Sequence, residues 1–266
     1  MDFFSKSWHC TKCIYSLDGI SDYRKKANEA GAGELVARAP HSKPLTVEEE
    51  TALLRHYQLK IPEICRFFRF PRRVVTTAHW ILARVSLRHS AMQHDPKHTM
   101  LACVLLASKL EDLHLTMEQY ADKIPKTDKD LLMRLEFVLL AALEYRLFFF
   151  SPHPCLVGIM LQLKVVEEPT VEAALECLEK ICTTDAVLLY SPLRLAAIAV
   201  MMTLGEGVTQ EYFEKLSLDS KINEHTLDAS LKESVAVVER LMVEMRPDTE
   251  LVKSIDRHLI QMRKEH

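Results

Sequence analysis

The sequence predicts an all-α protein, and three observations carry that prediction. Glycine occurs only 6 times in 266 residues, against roughly 7% in an average protein, which starves the tight turns that hairpins and sandwiches need. Leu, Ala, Glu, Lys and Met, all good helix formers, are plentiful. Beyond residue 45, apolar residues recur at helical spacing through most of the chain. With 48% hydrophobic residues the chain has apolar material for one large domain or two of ordinary size. It contains neither a G-x-G-x-x-G nor a G-x-x-x-x-G-K-[ST] loop, so dinucleotide and P-loop chemistry are set aside.

Residues 1–45 are polar and carry Gly31, Gly33, Pro40 and Pro44. They read as an N-terminal arm with one short helix around Asp22 to Ala30. At Thr46 the pattern changes: Thr46 with Glu49 three residues later is a capping box. It opens a helix toward Phe68 that Pro62 is expected to kink or interrupt. The next helix starts near Pro71 and sets Val74, Ala78, Ile81 and Val85 on one face. Asp95 caps a helix with Pro96 at its first position. That helix is apolar nearly all round to Leu110, so it is expected to be buried on every side. A short helix over 116–124 and a long, mostly apolar one over 128–145 complete a first unit, 46–150.

Beyond Pro152 and Pro154 a second series is predicted, with helices at 152–164, 170–188, 192–205, 209–216 and 226–245. Pro192 opens SPLRLAAIAVMMTL much as Pro96 opens DPKHTMLACVLLAS. Two helical units, each of about five helices around an apolar third helix, are suggested, the second spanning 151–246. A last amphipathic stretch, 248–264, gives a C-terminal helix within residues 247–266.

Lys and Arg total 34 against 37 Asp and Glu, a net charge of −3. A domain that grips phosphate backbone shows a basic excess, so no direct nucleic-acid partner is expected. The longest apolar runs, such as Leu195 to Leu204, fall short of the roughly 20 residues of a membrane span, so no membrane partner is expected either. MDFFSKSWHC lacks the basic start and apolar core of a secretory signal, which suggests an intracellular protein. Most of the 7 cysteines sit among apolar residues and read as small buried hydrophobes. Cys10 and Cys13, beside His9, form a C-x-x-C without a second close pair, so the segment reads as solvated and not as a zinc site. His94 and His98 flank a helix start and need not share a face. No H-E-x-x-H and no nucleophile with an identifiable base is present, and no cofactor is expected.

Two residues break the apolar pattern. On a helical wheel Glu136 shares its face with Leu132, Leu139, Leu140 and Leu143. Lys109 shares its own with Ala102, Leu105 and Leu106. A carboxylate inside a leucine stripe costs several kcal/mol to desolvate unless a cation or backbone donors meet it. Spacing leaves two readings equal: an internal ion pair, perhaps between these two, or the polar centre of an apolar docking surface.

LLASKLED (105–112) followed by RLEFVLLAALEYRL (134–147) resembles a cyclin box. With PRRVVTTAHWILARVSL (71–87) and TTDAVLLYSPLRLAAIAV (183–200), the chain is similar to the cyclin family over nearly its whole length, and within it to the cyclin H group. The resemblance implies two tandem five-helix cyclin folds with additional N- and C-terminal helices, and a regulatory subunit without catalysis of its own. In that family a lysine and a glutamate at the positions of Lys109 and Glu136 engage the αC helix of a cyclin-dependent protein kinase. Leu106, Leu110, Leu140, Tyr145 and Leu147 match the apolar residues beside them. The H group implies a CDK-activating kinase that also phosphorylates the C-terminal tail of RNA polymerase II. Its assembly usually includes a RING-finger factor and belongs to TFIIH, which implies a nuclear address, although Arg24-Lys25-Lys26 is too short for an import signal. Where cell-cycle cyclins carry M-R-A-I-L, residues 72–76 are matched as RRVVT, which argues against substrate docking there. Another transcriptional cyclin, or a TFIIB-type factor that grips DNA through paired cyclin-like folds, is the rival reading. The second of these requires a basic face and a full zinc ribbon.

Overall fold

The computed structural model of the chain describes residues 7–113, 115–205, 207, 224–244 and 248–264. Among these, all regular structure is helical: α1 (Trp8–Cys13), α2 (Leu17–Arg38), α3 (Val47–Phe67), α4 (Arg72–Val85), α5 (Pro96–Leu110), α6 (Met117–Ala121), α7 (Lys129–Ala142), α8 (His153–Gln162), α9 (Glu168–Cys182), α10 (Ala186–Leu189), α11 (Pro192–Leu204), α12 (Glu224–Glu244) and α13 (Thr249–Lys264). None of them is long and apolar enough to cross a membrane. They group into two compact units, one built from 15–149 and 245–266, the other from 1–14 and 150–244.

In the unit built on 15–149, α5 is the axis, packed by α3, α4 and α7. Asp95 accepts a hydrogen bond from the His98 amide at 2.9 Å, and Pro96 occupies the first helical position. From Met100 to Ser108 every residue is buried, as expected of a helix apolar all round. The α4 helix goes further than its predicted single face, because every residue from Val74 to Val85 is buried. Trp80 packs on Phe149, with ring centroids 4.9 Å apart, and the Arg84 guanidinium lies 4.9 Å from the Trp80 ring. This lets the arginine stem serve as core material.

Several expectations are corrected. The helix α3 runs through Pro62: proline forfeits one backbone bond, while Leu53, Ile61 and Cys65 keep their places in the core. Where a short helix in a polar arm was expected, α2 extends over 22 residues, capped by Ser16. Its buried stripe is Ile20, Ala27, Asn28, Gly31 and Leu35; between Ile20 and Leu35 the stripe is too small or too polar to register as an apolar face. Asn28 Nδ2 donates to Leu45 O at 2.9 Å and to Glu50 Oε2 at 3.0 Å, while Glu50 Oε1 accepts from Ser90 Oγ and from the Ala91 amide. The missing side chain of Gly31 makes room for Ser90. Leu35, Leu45 and Leu53 share a small core with Val252, Ile255 and Leu259 of α13, and Tyr57 OH donates to Asp256 at 3.3 Å.

The third correction lies in the other unit, where the helix expected over 170–188 ends at Cys182 and α10 follows. The Thr183 and Thr184 hydroxyls donate back to Lys180 O and Ile181 O, and Thr184 Oγ1 accepts the Ala186 amide. These bonds offer the backbone an alternative to continuing the helix. Here α11 is the axis, packed by α8, α9 and α12. Ser191 caps it at the Arg194 amide, with Pro192 at the first position. It is buried from Leu195 to Met201, repeating α5 at the expected offset. The helix predicted at 209–216 lies outside the described residues.

The α1 segment also departs from expectation: His9 and Cys13 are buried. The His9 ring stacks on Phe150 at 6.0 Å and its Nδ1 accepts the Phe150 amide.

Candidate functional site

Two helix ends build the site. The α5 helix closes by placing Asp112 in the left-handed region (φ 58°), with the Leu113 amide returning to Ser108 O at 2.9 Å. This ending turns the chain away one residue pair after Lys109, so the lysine stands in the last helical turn, where the dipole favours a cation. The α7 helix ends likewise: the Tyr145 amide bonds Leu140 O at 2.9 Å, and Glu144 and Tyr145 both have φ 56°. Glu144 is held there by Arg88, whose hydrogen bond and charge keep its carboxyl below the ordinary carboxylate range.

Lys109 Nζ and Glu136 Oε1 are 2.5 Å apart. The side chains are 39% and 20% exposed. The two readings of the sequence therefore meet: the charges pair with each other, and they do so at the surface. On α7, Leu132, Leu135, Leu139 and Ala142 are buried against α5, while Leu140 is half-buried beside Glu136. Leu110 and Leu147 are also half-buried, and Tyr145 is 70% exposed. Leu106 is only 4% exposed, because α5 is enclosed by three helices, so it backs the surface and does not present itself on it. Sequence reasoning missed Met133 and Phe137, one turn apart on the outer side of α7, the latter 65% exposed, and Phe148 beyond them. The signal was available: a helix apolar on both sides has one face for its own core and a second for another molecule.

Other candidates are absorbed by the fold. His98 Nδ1 lies 2.8 Å from Asp95 Oδ1, and its Nε2 accepts the Asp128 amide at 3.2 Å, so both nitrogens serve helix caps. His94 packs edge-on against His89. Among the described residues no disulfide joins the cysteines, and burial pushes the Cys103 and Cys182 thiols up, away from the reactive thiolate. A cleft between α3, the end of α4 and the start of α5 is lined by residues such as Leu54, Tyr57, Val85 and His89, and by none of the residues around Lys109 and Glu136.

An axial apolar helix wrapped by neighbours, occurring twice, is the architecture of a tandem cyclin fold, and residues 42–148 match the family model described as "Cyclin, N-terminal domain". Over these residues the chain belongs to the cyclin family. Cyclin H proteins are among its relatives. Cyclin-H1-1 of Arabidopsis thaliana is 30% identical over 206 residues, covering 74% of this chain and 60% of the relative. Cyclin-H of Xenopus laevis is 27% identical over 209 residues, covering 73% and 62%. The chain thus matches about three fifths of the length of these relatives. Among solved structures, a chain of the CAK complex of Chaetomium thermophilum bound to ATP-gamma-S superposes with a TM-score of 0.83 at 16% identity, covering 97% of this chain and 88% of that one. A chain of the yeast TFIIK (Kin28/Ccl1/Tfb3) complex gives 0.74 at 24%, covering 88% and 100%. At these identities the likeness establishes the fold.

Proposed function

We propose that this chain is a cyclin H-like regulatory subunit, without catalysis of its own, that binds and activates a cyclin-dependent protein kinase. The carrying observation is the Lys109–Glu136 pair held at the surface among Leu110, Phe137, Leu140 and Tyr145. A protein kinase holds ATP correctly only when its β3 lysine is paired with the αC glutamate. A rigid helical face that binds only the αC-in arrangement shifts the kinase toward it by the difference in affinity between the two states. Lys109 and Glu136 offer a donor and an acceptor to main-chain groups at the partner helix, and the surrounding apolar side chains exclude water from those bonds.

The cyclin H relatives and the fold shared with chains of CAK and TFIIK complexes support a CDK-activating and RNA polymerase II tail kinase as the assembly. By the same support, a RING-finger assembly factor and TFIIH are its wider partners and the nucleus its location. The test is affinity purification from native extract. One protein kinase is expected to come down stoichiometrically, with kinase activity toward a cyclin-dependent kinase activation-loop peptide. Recovery of the chain without any kinase would overturn the proposal.

A further inference from the structure

The segment Arg66-Phe67-Phe68-Arg69-Phe70-Pro71-Arg72-Arg73 joins α3 to α4 and interleaves cations with aromatic rings. Phe68 is its hub. Phe67 meets it edge-on at 5.1 Å, Phe70 and Tyr120 stack on it at 5.4 and 4.8 Å, and Lys123 Nζ lies 5.8 Å from its ring centroid. The inner rings complete the core between α3 and α6, but Phe67 is 61% exposed. Arg66, Arg69, Arg73 and Lys123 are exposed around it.

The fold does not account for this concentration of charge. Arg73 pairs with Glu111 at 3.1 Å, and Glu63 is engaged by Lys60 at 3.2 Å. Among the described residues, Arg66, Arg69 and Lys123 meet no carboxylate; Arg66 donates to Pro62 O and Lys123 faces the Phe68 ring. Three uncompensated cations around an exposed phenyl ring repel one another in a chain whose net charge is −3. Nothing in the sequence resemblance assigns a role to them.

We propose that this patch docks an acidic segment of a partner polypeptide. Its carboxylates would pair with Arg66, Arg69 and Lys123, and an apolar side chain would lie on Phe67. The pairing of Arg73 with Glu111 shows that guanidinium groups on this surface take a carboxylate in good geometry. A polypeptide fits better than a single-stranded nucleic acid. Nucleic-acid grooves track the backbone with a basic surface and stack successive bases on several rings, whereas here one ring is open and the chain as a whole is acidic. The proposal is independent of kinase docking, since it uses neither Lys109 nor Glu136.

The test is fluorescence anisotropy of the full chain at low salt with a labelled short Asp/Glu-rich peptide containing one Phe. Controls are the same peptide with Gln/Asn in place of the acids and a single-stranded DNA of similar length. The acidic peptide is expected to bind, with affinity falling as salt rises. Arg69→Glu combined with Lys123→Glu is expected to weaken binding at least about tenfold, and Phe67→Ser by a few-fold, while Lys109→Ala leaves it unchanged. All these positions are exposed, and circular dichroism checks that each variant folds. The proposal is overturned if the acidic peptide binds no better than its Gln/Asn control, if Arg69→Glu/Lys123→Glu binds as the parent does, or if the DNA binds more tightly than the peptide.

Discussion

His79 is fully buried in α4, both ring nitrogens lack a hydrogen-bond partner, and burial lowers its pKa from 6.5 to about 3. The neutral imidazole is thus sealed inside the unit, while the unfolded chain takes up a proton below pH 6.5. The consequence has a definite sign: full stability above about 6.5, then a loss as pH falls toward 3, where the native state at last binds the proton too. The slope is about 1.4 kcal/mol per pH unit, so between about pH 7.5 and 5 this group alone removes about 2 kcal/mol. His79→Leu abolishes that linkage. At neutral pH the variant gains by not burying two unpartnered nitrogens, about 1–3 kcal/mol, and loses up to about 1.5 kcal/mol to imperfect repacking. Both effects cancel in the pH dependence, as do the lowered histidines His56 and His89. The assay is urea unfolding at the two pH values followed by Trp80 fluorescence in a Trp8→Phe background, which leaves one tryptophan of the two. Parent and His79→Leu losing the same stability between the two pH values would refute the reasoning.

Two glycines in one helix give opposite signs. At Gly31 an added Cβ overlaps the Ser90 side chain, while at Gly33 it meets nothing. Gly31→Ala is therefore expected to lower stability, because overpacking at about 1–3 kcal/mol outweighs a helix-propensity gain of about 1; Gly33→Ala is expected to raise it by about 0.5–1 kcal/mol, both read by thermal unfolding. The depressed Glu144 pKa comes first from its hydrogen bond to Arg88, so Arg88→Ala is expected to return that carboxyl toward 4.5 in an NMR titration. The stabilisation from this pair is present above the ordinary carboxylate range and fades as pH falls through the depressed value. Phe137→Ser is expected to weaken kinase binding with little change in melting temperature, because the ring is exposed in the free chain.

Much of this molecule is written in patterns that a sequence carries openly. The capping box at Thr46 and Glu49, the Asp95-Pro96 and Ser191-Pro192 starts, and the apolar runs of α5 and α11 are local signals, and each appears where its chemistry dictates. The α2 helix was illegible because it packs through Ala27, Asn28, Gly31 and a half-buried Glu50 network, contacts that depend on partners far apart along the chain, such as Leu45 for Asn28 and Ser90 for Gly31. Pro62 misled because the loss of one backbone bond is outweighed by packing that propensity does not see. At the candidate site, wheel geometry found Glu136 and Lys109 but could not tell that their helices place them within 2.5 Å of each other, nor that Phe137 faces outward. Both are tertiary facts.

Whether Lys109 and Glu136 serve another molecule is measured directly by titration calorimetry of the chain with a cyclin-dependent kinase. As a partly exposed pair they contribute about 0–1 kcal/mol to the fold, whereas at the centre of an interface each truncation to alanine costs about 1–4 kcal/mol of binding. Lys109→Ala/Glu136→Ala is predicted to melt within a few degrees of the parent yet bind the kinase at least about tenfold more weakly. Unchanged affinity in that double variant, with or without a change in melting temperature, would contradict the account.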